Sequence, residues 1–263
     1  MNSAEAPQAL VLAAATTPGA ATMTGSFSME IGGDALAITV TLPAGPTTMA
    51  PLLPVFHGLS DALVARSEAN SLAAGKPISC RIGCGTCCRQ AVPISPTEAR
   101  GIAATVAAMP APRRDVVMAR FDAARARLDA AGIDRSPETF LAIDPRGRGA
   151  ISEAYLGQRI ACPLLENESC SIYADRPLVC REYLVTSPAA NCDEPTIDAI
   201  DKVDVPGLSY AFIATDAKLE GTGRLLLVDA LAWAAANPAP PAVAEAPQLL
   251  MAVIETMAYS ANG

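Results

Sequence analysis

The stretch SCRIGCGTCCRQ, residues 79–90, places Cys80, Cys84, Cys87 and Cys88 close together, the last two side by side. The chain's other four cysteines form a looser second group, Cys162, Cys170, Cys180 and Cys192, so all eight fall in two clusters. Scattered core cysteines would not arrive at such spacings. A Cys-x2-Cys step lets a short turn aim two thiolates at one ion while backbone N–H groups face the sulfurs. Gly83 and Gly85 flank Cys84 and give that turn the freedom to wrap. The second group is punctuated by Pro163, Asn167, Asp175 and Pro177, all turn formers. A chain that bends this often needs a cross-link other than apolar contact, and a metal centre supplies one.

Thiolate ligation suits zinc or iron, the iron either as ions or as a [4Fe–4S] cluster, and disfavours magnesium and calcium. All eight cysteines are therefore candidate metal ligands, with metal binding expected over disulfides or thiol redox chemistry. Arg81, Arg89, Arg176 and Arg181 lie near ligands and are placed to offset thiolate charge by hydrogen-bonding sulfur; their bland alternative is ordinary solvated surface. The spacing Cys80-x3-Cys84-x2-Cys87 also coincides with the radical S-adenosylmethionine signature. Thr86 stands where that motif usually has an aromatic, and no alternating β/α pattern of a barrel surrounds it, which argues against radical chemistry.

The 263-residue chain is 51% hydrophobic and 4% aromatic, enough for a full core built largely on small side chains. Its formal charge of -8 argues against nucleic-acid and anionic-membrane partners, leaving a metal ion or cluster as the expected partner; no protein partner is legible. The segment ALVLAAATTPGA has the apolar run of an export signal but no Lys or Arg precedes Arg66, so a cytoplasmic protein is expected. The best apolar run, LLLVDALAWAAA, is short and broken by Asp229.

Along the chain, residues 1–22 read as a flexible Ala/Pro/Thr-rich tail and 23–263 as a single metal-binding domain. Alternation around IGGDA predicts a β-hairpin over 25–42, with strands near 25–31 and 35–42. Leu52, Leu53, Phe56, Leu59, Leu63 and Val64 predict a helix between Thr47 and Ala74. Ser95, Pro96 and Glu98 form a capping box at the start of the next helix. A further helix is expected over about 112–131, with the same helix-start chemistry at SPETFLAI, a short helical candidate at ISEAYLGQRI, and C-terminal helices near 223–236 and 241–259 (223–259 in all). The expected fold class is mainly α (α+β): a helical domain with a small N-terminal hairpin and two cysteine-rich loops, spanning 80–192, organised around a metal centre.

Outside the cysteines, chemistry is sparse. His57, the only histidine, sits on an apolar helix, where a packed imidazole is expected over a ligand or base. EGTGR (220–224) lacks the strand–turn–helix context of a phosphate loop. Asp175 in DRP reads as a turn former, and Tyr173 and Tyr183 as packing residues. Catalytic residues are not identifiable.

The pieces CRIGCGTCCRQ, CPLLENESCSIYADRPLVCREY and SPAANC together resemble the CxxCxxCC family, YkgJ-type proteins described as zinc- or iron-chelating domains. Three residues rather than two separate Cys80 from Cys84, and Gly83 is read as a loop insertion. The resemblance implies a metal-binding cysteine cluster and no agreed activity. Flagellin lysine N-methylases look similar in this region. There the centre is an iron–sulfur cluster serving methyl transfer from S-adenosylmethionine, which makes an iron–sulfur methyltransferase the alternative reading.

Overall fold

The computed structural model describes residues 9–31, 34–142, 145–193, 199–242 and 244–261. It opens with β1 (Leu10–Ala13), β2 (Thr22–Ile31) and β3 (Asp34–Pro43), a sheet in the order β1-β3-β2. The expected hairpin is present: β2 and β3 pair antiparallel from Thr22↔Pro43 to Ile31↔Asp34, with the Gly32-Gly33 turn outside the described residues. Alternation sorts the faces. Ile38, Val40 and Leu42 are buried, while Thr24–Thr41 and Ser26–Thr39 pair their hydroxyls on the open face.

The reading of 1–22 as a loose tail fails at β1, which pairs parallel with β3, Leu10 opposite Ile38. Leu12 is buried against the helix behind the sheet. Gly58 makes that approach possible, because a Cβ there would collide with the Leu12 side chain.

A short strand β4 (Pro46–Thr47) leads into α1 (Leu53–Ala73), with Pro51 just ahead of it and Pro54 in its first turn. Val55, Phe56, Leu59 and Leu63 point into the first core. After the first cysteine loop come β5 (Pro93–Ile94), α2 (Pro96–Ala107) and α3 (Ala111–Ala130). The capping box forms as read: Ser95 Oγ accepts from Glu98 N at 3.1 Å and Glu98 Oε2 from Ser95 N at 2.8 Å. Next are α4 (Pro137–Ala142), α5 (Pro145–Gly157), the tiny hairpin β6 (Leu165–Glu166) and β7 (Ser169–Cys170), and α6 (Leu178–Glu182).

The C-terminal part departs from expectation. A helix α7 (Leu208–Glu220) was not legible, because Leu208, Ser209, Ala211, Phe212, Ile213, Thr215, Asp216 and Ala217 are buried around much of its circumference and leave no clean polar face. It ends on Gly221 in the left-handed conformation, φ 65°. The helix expected from 223 begins only at α8 (Ala230–Ala236), because β8 (Leu225–Leu226) pairs with β5 instead. Here Leu225 and Leu227 enter one core and Leu226 and Val228 another, across the change from the strand to a 3-10 turn over Leu227–Asp229. β9 (Ala244–Glu245), paired with β4, and α9 (Ala246–Ala261) complete the chain.

The described residues form a mainly helical α+β fold with three apolar clusters among them. One joins the sheet, α1, α7 and α9, with Phe56 and Phe212 edge to face at 4.8 Å. The second joins α2, α3 and the β5–β8 pair, and Cys162 and Cys170 pack against it; the third lies under α4 and α5. Among the described residues no helix is long and apolar enough to cross a membrane.

Candidate metal centre

The first cysteine loop is built from tight turns. Cys84 N donates to Arg81 O at 3.0 Å, with Gly83 between at φ 85°. A 3-10 turn over Thr86–Arg89 then carries Cys87 and Cys88, closed by Cys88 N to Gly85 O at 3.0 Å and Gln90 N to Cys87 O at 3.1 Å. On one side of this turn lies the second loop, because Cys162 N donates to Cys88 O at 2.7 Å. On the other lies the turn over Ala189–Asp193, where Gln90 Nε2 donates to Cys192 O at 3.3 Å.

The β6–β7 hairpin turns on Asn167 and Glu168, both at positive φ, and pairs Leu165 with Cys170. Its tip is seated on Gly85: a Cβ there would lie 2.6 Å from Glu168 Oε2, 2.9 Å from Leu165 Cδ1 and 3.1 Å from Glu168 Cα. Glu168 is held by Arg89 through two bonds of 2.8 and 3.0 Å, and Arg89 also donates to Gly85 O at 2.9 Å. Arg89, expected beside sulfur, is thus a latch between the two loops.

Cys180 sits on α6, whose first amide, Leu178 N, donates to Glu98 Oε1 at 2.8 Å. One buried carboxylate therefore caps α2 and anchors the ligand-bearing α6, a role that the local capping motif could not disclose.

All eight cysteines line one cavity of about 540 Å³, together with Arg81, Arg176 and Arg181. All eight thiols are free; Cys192 is buried and the other seven half-buried. Burial pushes the thiols of Cys80, Cys170, Cys180 and Cys192 above their ordinary range, and that of Cys162 up to about 12. Cys87 is raised first by its hydrogen bond with the Cys88 thiol and then by burial. Arg176 opposes these shifts at Cys87 and Cys170.

Three further features bear on ligand chemistry. Arg176 stacks on Tyr173 at 4.0 Å, and its Nε is buried without a hydrogen-bond partner, a donor suited to sulfur. Arg181 is buried and committed to Asp61 Oδ1 at 2.8 Å and to the carbonyls of Ala174 and Arg176, so it stiffens the cavity wall. Tyr183, read only as packing, is in hydrogen-bonding reach of the Cys192 thiol and Gln90, and burial raises its hydroxyl to about 12.

His57 stays apart from the cavity. Burial first, then Arg181, lowers it to about 4, so it is a neutral packed imidazole at neutral pH. Among the described residues no three His, Cys, Asp or Glu side chains converge on one point suited to a metal ion. The sulfurs are spread around the cavity wall. The donor set, all soft thiols with an unpaired N–H donor beside them, fits zinc or iron.

Residues 79–202 match the CxxCxxCC family model, described as "Putative zinc- or iron-chelating domain". The matched segment contains all eight cysteines and ends at Lys202, which bridges to Val185 beside the first loop. No curated protein and no solved structure matches the chain. Residues 79–202 are thus similar to a family of zinc- or iron-chelating domains, and are flanked by the sheet with α1 and by the C-terminal helices.

Proposed function

We propose that this protein binds zinc or iron through the eight cysteines of the CxxCxxCC segment, in the cytoplasm, holding the metal for storage or delivery. The observation that carries this reading is that two cysteine groups separated by more than seventy residues line a single cavity. The metal would take thiolates as ligands, with Arg176 donating to sulfur and Arg89–Glu168 keeping the loops together. Binding displaces thiol protons, so occupancy rises with pH. A rim made of Arg81, Ile82 and Gly83, with Ile82 91% exposed, leaves the cavity open to solvent, which suits loading and release better than a sealed structural site.

Anaerobic purification with metal analysis and a visible spectrum tests the reading. Stoichiometric zinc in a colourless protein, or iron in a coloured one, is the expected result. Absorption near about 400 nm with acid-labile sulfide identifies an iron–sulfur cluster. A chain that carries no metal, and takes up none when reduced and supplied with zinc or ferrous iron, contradicts the proposal.

A further inference from the structure

We propose that the β6–β7 hairpin is a lid on the thiol cavity, and that the Arg89–Glu168 pair is its salt-sensitive catch, setting how fast metal enters and leaves. This names the regulation of the site described above. It rests on the metal-binding reading for what passes the lid, and not for the lid itself.

The hairpin is held differently at its two ends. At the base, Leu164 and Ile172 are buried in the second apolar cluster, and Ser171 N donates to Leu164 O at 2.9 Å. The strands beyond that base are two residues each, Leu165–Glu166 and Ser169–Cys170, too short to stay in place by their own pairing. At the tip the hold comes from the first cysteine loop. Arg89 donates to the Glu168 carboxylate at 2.8 and 3.0 Å, and Leu165 and Glu168 rest on Gly85. The Glu168 side chain is 51% exposed, so salt screens that pair. A base fixed by apolar burial and a tip fixed by a screened ion pair make a hinge and a catch.

The backbone of the tip agrees with this. Asn167 and Glu168 both lie in the left-handed region, at φ 50° and 56°. Asparagine tolerates that conformation, whereas glutamate seldom adopts it. The bond to Arg89 offsets the strain at Glu168, and breaking it leaves the turn free to relax. Glu166, the hairpin's other acid, sits on the strand and turns to α3 instead, 3.4 Å from Arg113 and 3.5 Å from Arg120.

The tip also bounds the cavity. Glu168, Ser169 and Cys170 line it together with the rim of Arg81, Ile82 and Gly83. Lifting the tip from Gly85 therefore widens the mouth, and it moves Cys170, which is part of β7, relative to the thiols of the first loop.

The test uses the reduced full-length chain under anaerobic conditions. In metal-free protein, iodoacetamide labelling of Cys170 is followed by peptide mass spectrometry. Glu168→Gln should label about two to five times faster than the wild type at low salt, the range that an exposed ion pair supplies. Added salt should speed the wild type towards the variant and leave the variant unchanged. Glu166→Gln, the same charge change on the same hairpin, should stay close to the wild type. In zinc-loaded protein, transfer of zinc to excess chelator should be faster by the same factor in Glu168→Gln, from an equal starting zinc content. Labelling and transfer at wild-type rates in Glu168→Gln, or equal gains in the two variants, overturn the lid and leave metal binding intact. A chain that takes up no zinc or iron overturns the metal-binding reading, and the labelling rates then decide the lid alone.

Discussion

Around α1 the side chains of Leu52, Phe56, Leu59 and Leu63 are fully covered, and the sheet, α7 and α9 close over them with apolar surface alone. The turns that carry the cysteines are put together differently. They rest on single backbone bonds such as Cys162 N to Cys88 O, on the Arg89–Glu168 latch and on Glu98, and they leave seven thiols half-buried around an open cavity. The first region needs no ligand to be stable. The second combines many turns with little apolar contact, so bound metal would supply much of its free energy.

The largest expected effect breaks the first region. Phe56→Ala removes a fully buried ring in edge contact with Phe212 and should cost about 3–5 kcal/mol in denaturant unfolding. The loss should be the same for metal-loaded and chelator-treated protein. Gly85→Ala acts on the second region. Its Cβ meets Glu168 Cα at 3.1 Å as well as two side chains, so the hairpin must shift away from the first loop. A cost of about 1–3 kcal/mol is expected, with metal content falling in parallel, as measured by unfolding and metal analysis on the same samples.

A smaller effect probes the seam between the regions. Asp216 is buried on α7, accepts from Thr97 N at 2.8 Å, and burial raises its carboxyl to about 6. Because the folded value lies above the unfolded one, its stabilising contribution is complete below about 4 and is lost as pH rises through about 6. Asp216→Asn should therefore add about 1 kcal/mol at pH 8 and nothing at pH 4. Equal effects at both pH values would contradict this. Metal content should not change, since the side chain lies outside the thiol cavity.

Much of this contrast is visible in the sequence, for physical reasons. The hairpin announces itself through alternation and the capping box through adjacent residues, and eight clustered cysteines name the site. What stayed hidden depends on contacts between distant segments. Leu10–Ala13 becomes a strand only because β3 offers an edge and Gly58 a gap. Leu225–Leu226 forms a strand and Leu227–Asp229 a 3-10 turn, with two cores on opposite sides of the segment. Cys192 and Tyr183 meet the first loop through a turn fixed by tertiary contacts, and Glu98 reaches Leu178 across 80 positions of sequence.

Hydrogen exchange on zinc-loaded and chelator-stripped protein, resolved by residue, tests most directly whether metal organises the cysteine region. The account predicts that stripping exposes the amides of Cys84, Cys88, Gln90, Cys162 and Leu165 while those of α1 and β3 keep their protection. Unchanged protection in the cysteine turns, or a loss spread equally over α1 and β3, would contradict it.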